Sequence, residues 1–193
     1  MFSRSEVAVA NRKVDHAKVA SLITELLKAV GEDPTREGLV DTPRRVADWW
    51  REFLDYDPGK LGTTFESAKA DQMVVVTGMR VWSLCEHHLL PFWCDIAVGY
   101  IAADKVLGLS KLARIAQKHA HALNLQERLV TNIATELQEI LGHKNVAVMA
   151  TGEHLCMTMR GVKTPHRMIS SSLDGLFRTM EARAEFLALA KPA

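Results

Sequence analysis

The stretch Phe92-Trp93-Cys94-Asp95-Ile96-Ala97-Val98-Gly99-Tyr100 alternates in character. In an extended chain Phe92, Cys94, Ile96, Val98 and Tyr100 face one way, and Trp93, Asp95, Ala97 and Gly99 face the other. A half-buried strand is expected. Upstream, residues 73–77 and 79–84 also read as strand. Downstream the period changes. Ser110 is expected to cap a helix with Leu112, Ile115, Ala116 and Leu123 inward. Leu129, Ile133, Leu137, Ile140 and Leu141 give a second helix, stopped by Gly142. Strands are expected near 145–151 and 154–160, then a polar stretch at 170–172. A last helix around 181–189 carries Phe186 and Leu187. Strands, then two helices, then strands predict an α+β fold with an antiparallel sheet.

The first 60 residues differ. Residues 1–12 read as a loose tail. Val19, Leu22, Ile23, Leu26, Leu27 and Val30 follow one helical face, ended by Gly31 and Pro34. Thr42-Pro43 opens a second helix with Val46, Trp49, Trp50, Phe53 and Leu54 inward, and residues 57–59 end it. The expected division is a helical appendage over residues 1–60 and a main domain over 61–193.

The chain has 193 residues, 48% of them hydrophobic, enough for a real core. Lys plus Arg number 24 and Asp plus Glu 23, so the net charge is +1. That balance leaves no electrostatic footprint for nucleic acid or an anionic membrane. Three cysteines do not form a disulfide framework and suit a reducing compartment. The first 18 residues hold no apolar signal core, and no apolar run approaches the roughly 20 residues of a membrane span. A cytoplasmic location is expected.

Chemistry concentrates in a few places. Cys85 and His88 are three apart, so a tight turn puts a thiolate and an imidazole together as half a zinc site. In residues 154–160, His154, Cys156, Thr158 and Arg160 are expected along one strand face, with Leu155, Met157 and Met159 on the other. Such a polar line reads as the wall of a site. Cys85, His88 and Cys156 would give three ligands, the number found where zinc keeps a position open for water. Cys94 lies in the apolar row and reads as a small core residue. Ser110, Lys111 and Arg114 open a helix whose free N–H groups suit an anion. Gln126, Glu127 and Arg128 open the next. His16, His119, His121, His143 and His166 show no partner pattern and read as surface residues.

These motifs together resemble the GTP cyclohydrolase I family. The matching segments are Ser83-x-Cys85-Glu86-His87-His88-x-x-Pro91-Phe92, Gly108-Leu109-Ser110-Lys111-x-x-Arg114, Gln126-Glu127-Arg128-Leu129 and His154-x-Cys156-Met157-x-x-Arg160-Gly161. Residues 163–172 and Asp174 depart from the family pattern. The resemblance implies hydrolysis of GTP to formate and 7,8-dihydroneopterin triphosphate, in pterin and folate synthesis. It implies a tunnelling fold, a four-stranded antiparallel sheet with two helices on one face. It implies ten subunits in a toroid with active sites at their interfaces. It also assigns roles. Cys85, His88 and Cys156 would bind Zn2+, and His87 and His154 would move protons, with Ser110 also catalytic. Ser110, Lys111, Arg114 and Arg160 would hold the triphosphate. Gln126 and Glu127 would meet the guanine, with Glu86 in the same pocket. Two related activities fit less well: pyruvoyl-tetrahydropterin synthases bind zinc through three histidines, and deazaguanine nitrile reductases lack this ligand set. A zinc-stabilised interaction protein would need a fourth ligand.

Overall fold

The computed structural model describes residues 13–67 and 71–191. The tail expected over residues 1–12 lies outside the described residues. The chain divides into two compact units, one running to Asp57 and one starting at Pro58.

In the first unit, α1 (His16–Ala29) packs on α2 (Thr42–Leu54). The Asp15 carboxylate accepts from the Lys18 N–H at 3.0 Å and starts α1. Gly31, at φ +87°, follows its end. Asp41, not Thr42, is the N-cap of α2, and its side chain makes no capping bond. The helix ends at Leu54, before the expected stop. Of α2, only Ala47 and Phe53 are buried. Trp49 stays largely exposed and stacks on Phe53, with centroids 5.8 Å apart. His16 has a partner after all: its Nε2 lies 2.9 Å from Asp48 Oδ1 and ties the two helices.

The second unit runs β1 (Thr64–Glu66), β2 (Met73–Cys85), β3 (Pro91–Ile101), β4 (Lys105–Leu107), α3 (Leu109–Ala120), β5 (Leu123–Asn124) and α4 (Gln126–Leu141). Then come β6 (Val146–His154), a single helical turn α5 (Leu155–Thr158), β7 (Met168–Leu173), a 3₁₀ turn (Gly175–Arg178) and α6 (Met180–Leu189). The main sheet has the order β5-β2-β3-β6-β7. Strands β2, β3, β6 and β7 are antiparallel, while two residues of β5 run parallel to the end of β2. The sheet is therefore five-stranded and mixed, where four antiparallel strands were expected. β1 and β4 form a separate two-stranded sheet.

Several local expectations change. The two strands read over 73–84 are one strand with a register shift between Val76 and Met79, where Gly78 takes φ +73°. Leu123 belongs to β5 rather than to α3. The strand expected over 154–160 does not form. His154 pairs with Phe92, one residue from the start of β3 at Pro91, so the ladder runs out of partner there. The chain coils instead: Met159 N–H donates to Leu155 O, and Thr158 Oγ1 donates to Glu153 Oε1, both at 2.9 Å. The polar stretch at 170–172 is the middle of β7, built on main-chain bonds to β6.

The row Phe92, Cys94, Ile96, Val98 and Tyr100 packs with Leu112, Ile115, Leu129, Ile133 and Leu137 of α3 and α4. That is the main core. The second half of β3 is buried on its other face as well, under Phe177 and Phe186. A Cβ on Gly99 would stand 2.6 Å from the Phe186 ring, so glycine makes the room. Fully burying one such phenylalanine stabilises by about 1.5–3 kcal/mol. His119, read as a lone surface residue, joins α3 to α4 through Glu136, with Nε2 2.6 Å from Oε2. Lys118 Nζ donates to the same carboxylate at 2.8 Å. His143 accepts the Asn145 N–H on Nδ1 at 3.3 Å.

Candidate active site

The site forms where β2 and β6 end. Cys85 closes β2 and is buried. A tight turn follows, in which His88 N–H and Leu89 N–H both donate to Cys85 O, at 3.3 and 2.9 Å. This folds His88 back so that Nδ1 lies 3.6 Å from Cys85 Sγ. The α5 turn supplies Cys156. The three donor atoms all lie within 4.8 Å of one another. Tetrahedral zinc, with Zn–S about 2.3 Å and Zn–N about 2.0–2.1 Å, separates neighbouring S and N ligands by roughly 3.5–3.8 Å. Two thiols and an imidazole at this spacing fit such an ion. Burial raises the Cys156 thiol pKa, and the facing Cys85 raises it further, as expected where two thiols share one space.

Cys94 does not join them. It is fully buried in the main core, and burial pushes its thiol up to about 12, with Asp95 adding to the effect. It is a small core residue.

His154 ends β6, and its ring lies on Phe92. Its main-chain N–H donates to His166 Nε2 at 3.4 Å, so His166 also has a partner. Burial lowers the His154 pKa, and His166 lowers it further. Its Nε2 is 3.1 Å from Gln126 Oε1. Gln126 is fully buried, and its Nε2 meets Ala150 O, Met168 O and Ser170 Oγ. The side chain expected at the guanine is thus committed to the protein interior.

Glu86 and Arg128 form a bidentate pair, with Arg128 Nη1 donating at 2.6 Å and Nη2 at 3.1 Å. That bond holds the Glu86 carboxyl below its ordinary pKa. It also locks the turn after β2 to the start of α4. Asn124 adds a second tie, accepting the Glu86 N–H on its carbonyl at 3.1 Å. Glu127 is exposed beside this pair. His87 is exposed too, its ring near-perpendicular to His88 with centroids 6.1 Å apart.

Ser110 is not a cap: Gly108 is the N-cap of α3, and Ser110 is in the first turn. Lys111 is half-buried. Arg114 Nη1 donates to Pro58 O at 2.7 Å, and Gly59 leaves it room. Arg160 follows α5 and lowers the Cys156 pKa by its charge. Among the described residues, no hydrogen bond or ion pair joins Ser110, Lys111 or Arg114 to the group around Cys85. The structure therefore gathers Cys85, Glu86, His88, Gln126, His154 and Cys156, with Arg160 near. Among the described residues, Arg114 is bonded instead to Pro58 O. Sequence reasoning gave Asn124 no role, placed Ser170 only in a polar stretch, read His166 as a surface residue, and carried Arg128 only as part of the Gln126-Glu127-Arg128 motif.

Fold and site define an α+β protein with a Cys–His–Cys group able to hold a metal ion beside a buried histidine. Residues 19–191 match the family model described as GTP cyclohydrolase I. The chain is 44% identical over 178 residues to the GTP cyclohydrolase 1 of Sulfurihydrogenibium, covering 91% of this chain and 95% of that one. It is 44% identical over 185 residues to that of Halalkalibacterium halodurans, covering 93% and 98%. It is 43% identical over 173 residues to that of Hyperthermus butylicus, covering 89% of each. The chain belongs to the GTP cyclohydrolase I family of enzymes. No helix among the described residues is long and apolar enough to cross a membrane.

Proposed function

We propose that this chain is a zinc-dependent, cytoplasmic GTP cyclohydrolase I that converts GTP and water to formate and 7,8-dihydroneopterin triphosphate. The observation that carries this reading is the Cys85–His88–Cys156 group, within 4.8 Å, in a chain of this family. Cys85, His88 and Cys156 would hold the zinc, whose chemistry there would be to lower the pKa of water to about 7 for hydrolysis at neutral pH. The chain's own residues do the rest. The Glu127 carboxylate accepts from the guanine N1–H and amino group. Gln126 opens α4, where its main-chain N–H has no intrahelical acceptor and can meet the base. Glu86 shapes the same pocket through Arg128. Ser110, Lys111, Arg114 and Arg160 hold the triphosphate, Ser110 close to the reacting end. His87 and His154 transfer protons during ring opening and closure.

The catalytic machinery lies in residues 61–193 with a tunnelling fold, and residues 1–60 are a helical appendage. The active form is a decameric ring with shared sites. Two features support sharing. Among the described residues, no hydrogen bond or ion pair ties Ser110, Lys111 or Arg114 to the Cys85–His88–Cys156 group within one chain, and β7 is an edge strand of the sheet. The test is formate release from GTP by the zinc-loaded protein. No formate, with zinc bound at one ion per chain, would sink the reading. Mixing Cys85→Ala with Lys111→Ala chains should restore part of the lost activity; two dead parents that stay dead when mixed would place each site in one chain.

A further inference from the structure

The amide of Gln126 can point only one way. Its Nε2 lies 3.1 Å from two main-chain carbonyls, Ala150 O and Met168 O, and from Ser170 Oγ. Carbonyls accept and never donate. Turning the amide over would set Oε1 against both carbonyl oxygens in a dry interior, at the cost of unpaired buried polar groups. The N–H end is therefore fixed on β6 and β7, and Oε1 is fixed on His154 Nε2 at 3.1 Å. An amide oxygen cannot donate, so the hydrogen in that bond belongs to His154 Nε2.

The fold reserves space for this contact. A Cβ on Gly152 would stand 2.9 Å from Gln126 Oε1 and 2.7 Å from Cys94 Sγ, and would also strike Trp93 O. The stack on Phe92, at 4.4 Å and 6°, sets the plane of the His154 ring. Among the described residues, His154 Nδ1 has no hydrogen-bond partner.

We propose that Gln126 is a positioning residue for His154: its side-chain carbonyl holds the imidazole as the Nε2–H tautomer and, with the stack on Phe92, fixes the ring's orientation in the site. The catalytic meaning rests on the GTP-hydrolysing function above, but the tautomer does not.

The test is ring ¹⁵N NMR on zinc-loaded protein labelled at histidine. His154→Phe removes one pair of ring resonances and so assigns it. The wild type should show His154 with Nε2 protonated and Nδ1 bare. Nδ1 protonated and Nε2 bare would overturn the assignment, with no need for any Gln126 variant to fold. In Gln126→Met, kcat should fall at least about tenfold, with KM changed less than about threefold, a modest share of what a positioned acid–base group supplies. Ser170→Ala removes one tie to the amide but leaves both carbonyls, so its kcat should stay within about threefold. Equal losses in the two variants would make Gln126 a mere strand fastener and overturn the proposal. If the wild type releases no formate, the function fails while the resonances still decide the tautomer.

Discussion

Phe92 and His154 face each other across β3 and β6, and their rings lie parallel, 4.4 Å apart and 6° from coplanar. Phe92 is fully buried in the main core, and His154 is the last residue of its strand. The core thus reaches the site through one ring, which orients the other. Stacked pairs of this kind contribute about 0.5–1.5 kcal/mol beyond area burial.

Phe92→Leu tests that link. A hydrophobic swap near the right volume should cost less than about 1.5 kcal/mol of stability. The His154 ring, however, loses its flat support. GTP turnover should fall several-fold more than the loss of folded protein accounts for, read by activity normalised to the folded fraction. Phe92→Ala should instead cost about 3–5 kcal/mol through the cavity it leaves. Unchanged turnover in folded Phe92→Leu would mean that other contacts hold the histidine.

The three cysteines should separate cleanly. Cys85→Ala and Cys156→Ala each remove a donor from the 4.8 Å group and should abolish stoichiometric zinc. Cys94→Ala removes a buried thiol whose pKa of about 12 keeps it protonated. It should keep one zinc per chain and most activity, measured by metal analysis and formate release. Loss of zinc in Cys94→Ala would contradict the open three-ligand site.

Much of this arrangement was legible in the residues. The row from Phe92 to Tyr100 showed itself because side chains in a strand have a period of two. Cys85 and His88, three apart, showed themselves as two donors that a tight turn brings together, as it does at 3.6 Å. Cys156 was found for the wrong local reason, since its segment is a helical turn and not a strand. The error did little harm: Cys156 and Arg160 are four apart, a spacing that keeps residues neighbours on a helical turn as well. The role of the Gln126 side chain was not legible. Its partners Ala150 and Met168 contribute only main-chain oxygens, which leave no mark on residue type. β7 was missed because Ser170-Ser171-Ser172 has no apolar alternation. The partners of His119 and His16 lie 17 and 32 residues away, beyond any local pattern.

Acid should expose the Glu136 cluster. Burial raises the Glu136 carboxyl pKa, but bonds from His119 and Lys118 outweigh it, so the folded value lies below the ordinary 4.5. A depressed carboxylate stabilises the fold fully above its unfolded pKa, and that stability is lost as pH falls through the folded value. Wild type should therefore exceed Glu136→Gln in urea midpoint by its largest margin near about pH 7. The margin should shrink below 4.5. A margin independent of pH would show that the carboxylate's charge contributes nothing there.

Glu127 carries the sharpest prediction for substrate choice. It sits exposed in the first turn of α4, beside the Glu86–Arg128 pair and one residue from the buried Gln126. A carboxylate is acceptor-only, and guanine offers N1–H and an amino group side by side as donors. Adenine presents an acceptor at N1 and would set lone pairs against the carboxylate. A site built on such bonds rejects the wrong base by roughly 10⁴–10⁵-fold. A role limited to favouring the helix N-terminus is worth only about 0.3–1 kcal/mol. Losing one partner of a charged hydrogen bond in a closed site costs on the order of 2–5 kcal/mol. The two ranges do not overlap. Glu127→Ala should keep its zinc and fold, yet lose at least about a hundredfold in kcat/KM for GTP, roughly 2.7 kcal/mol. A loss of only a few-fold, with GTP still preferred to ATP, would return Glu127 to the surface of its helix and move base recognition elsewhere.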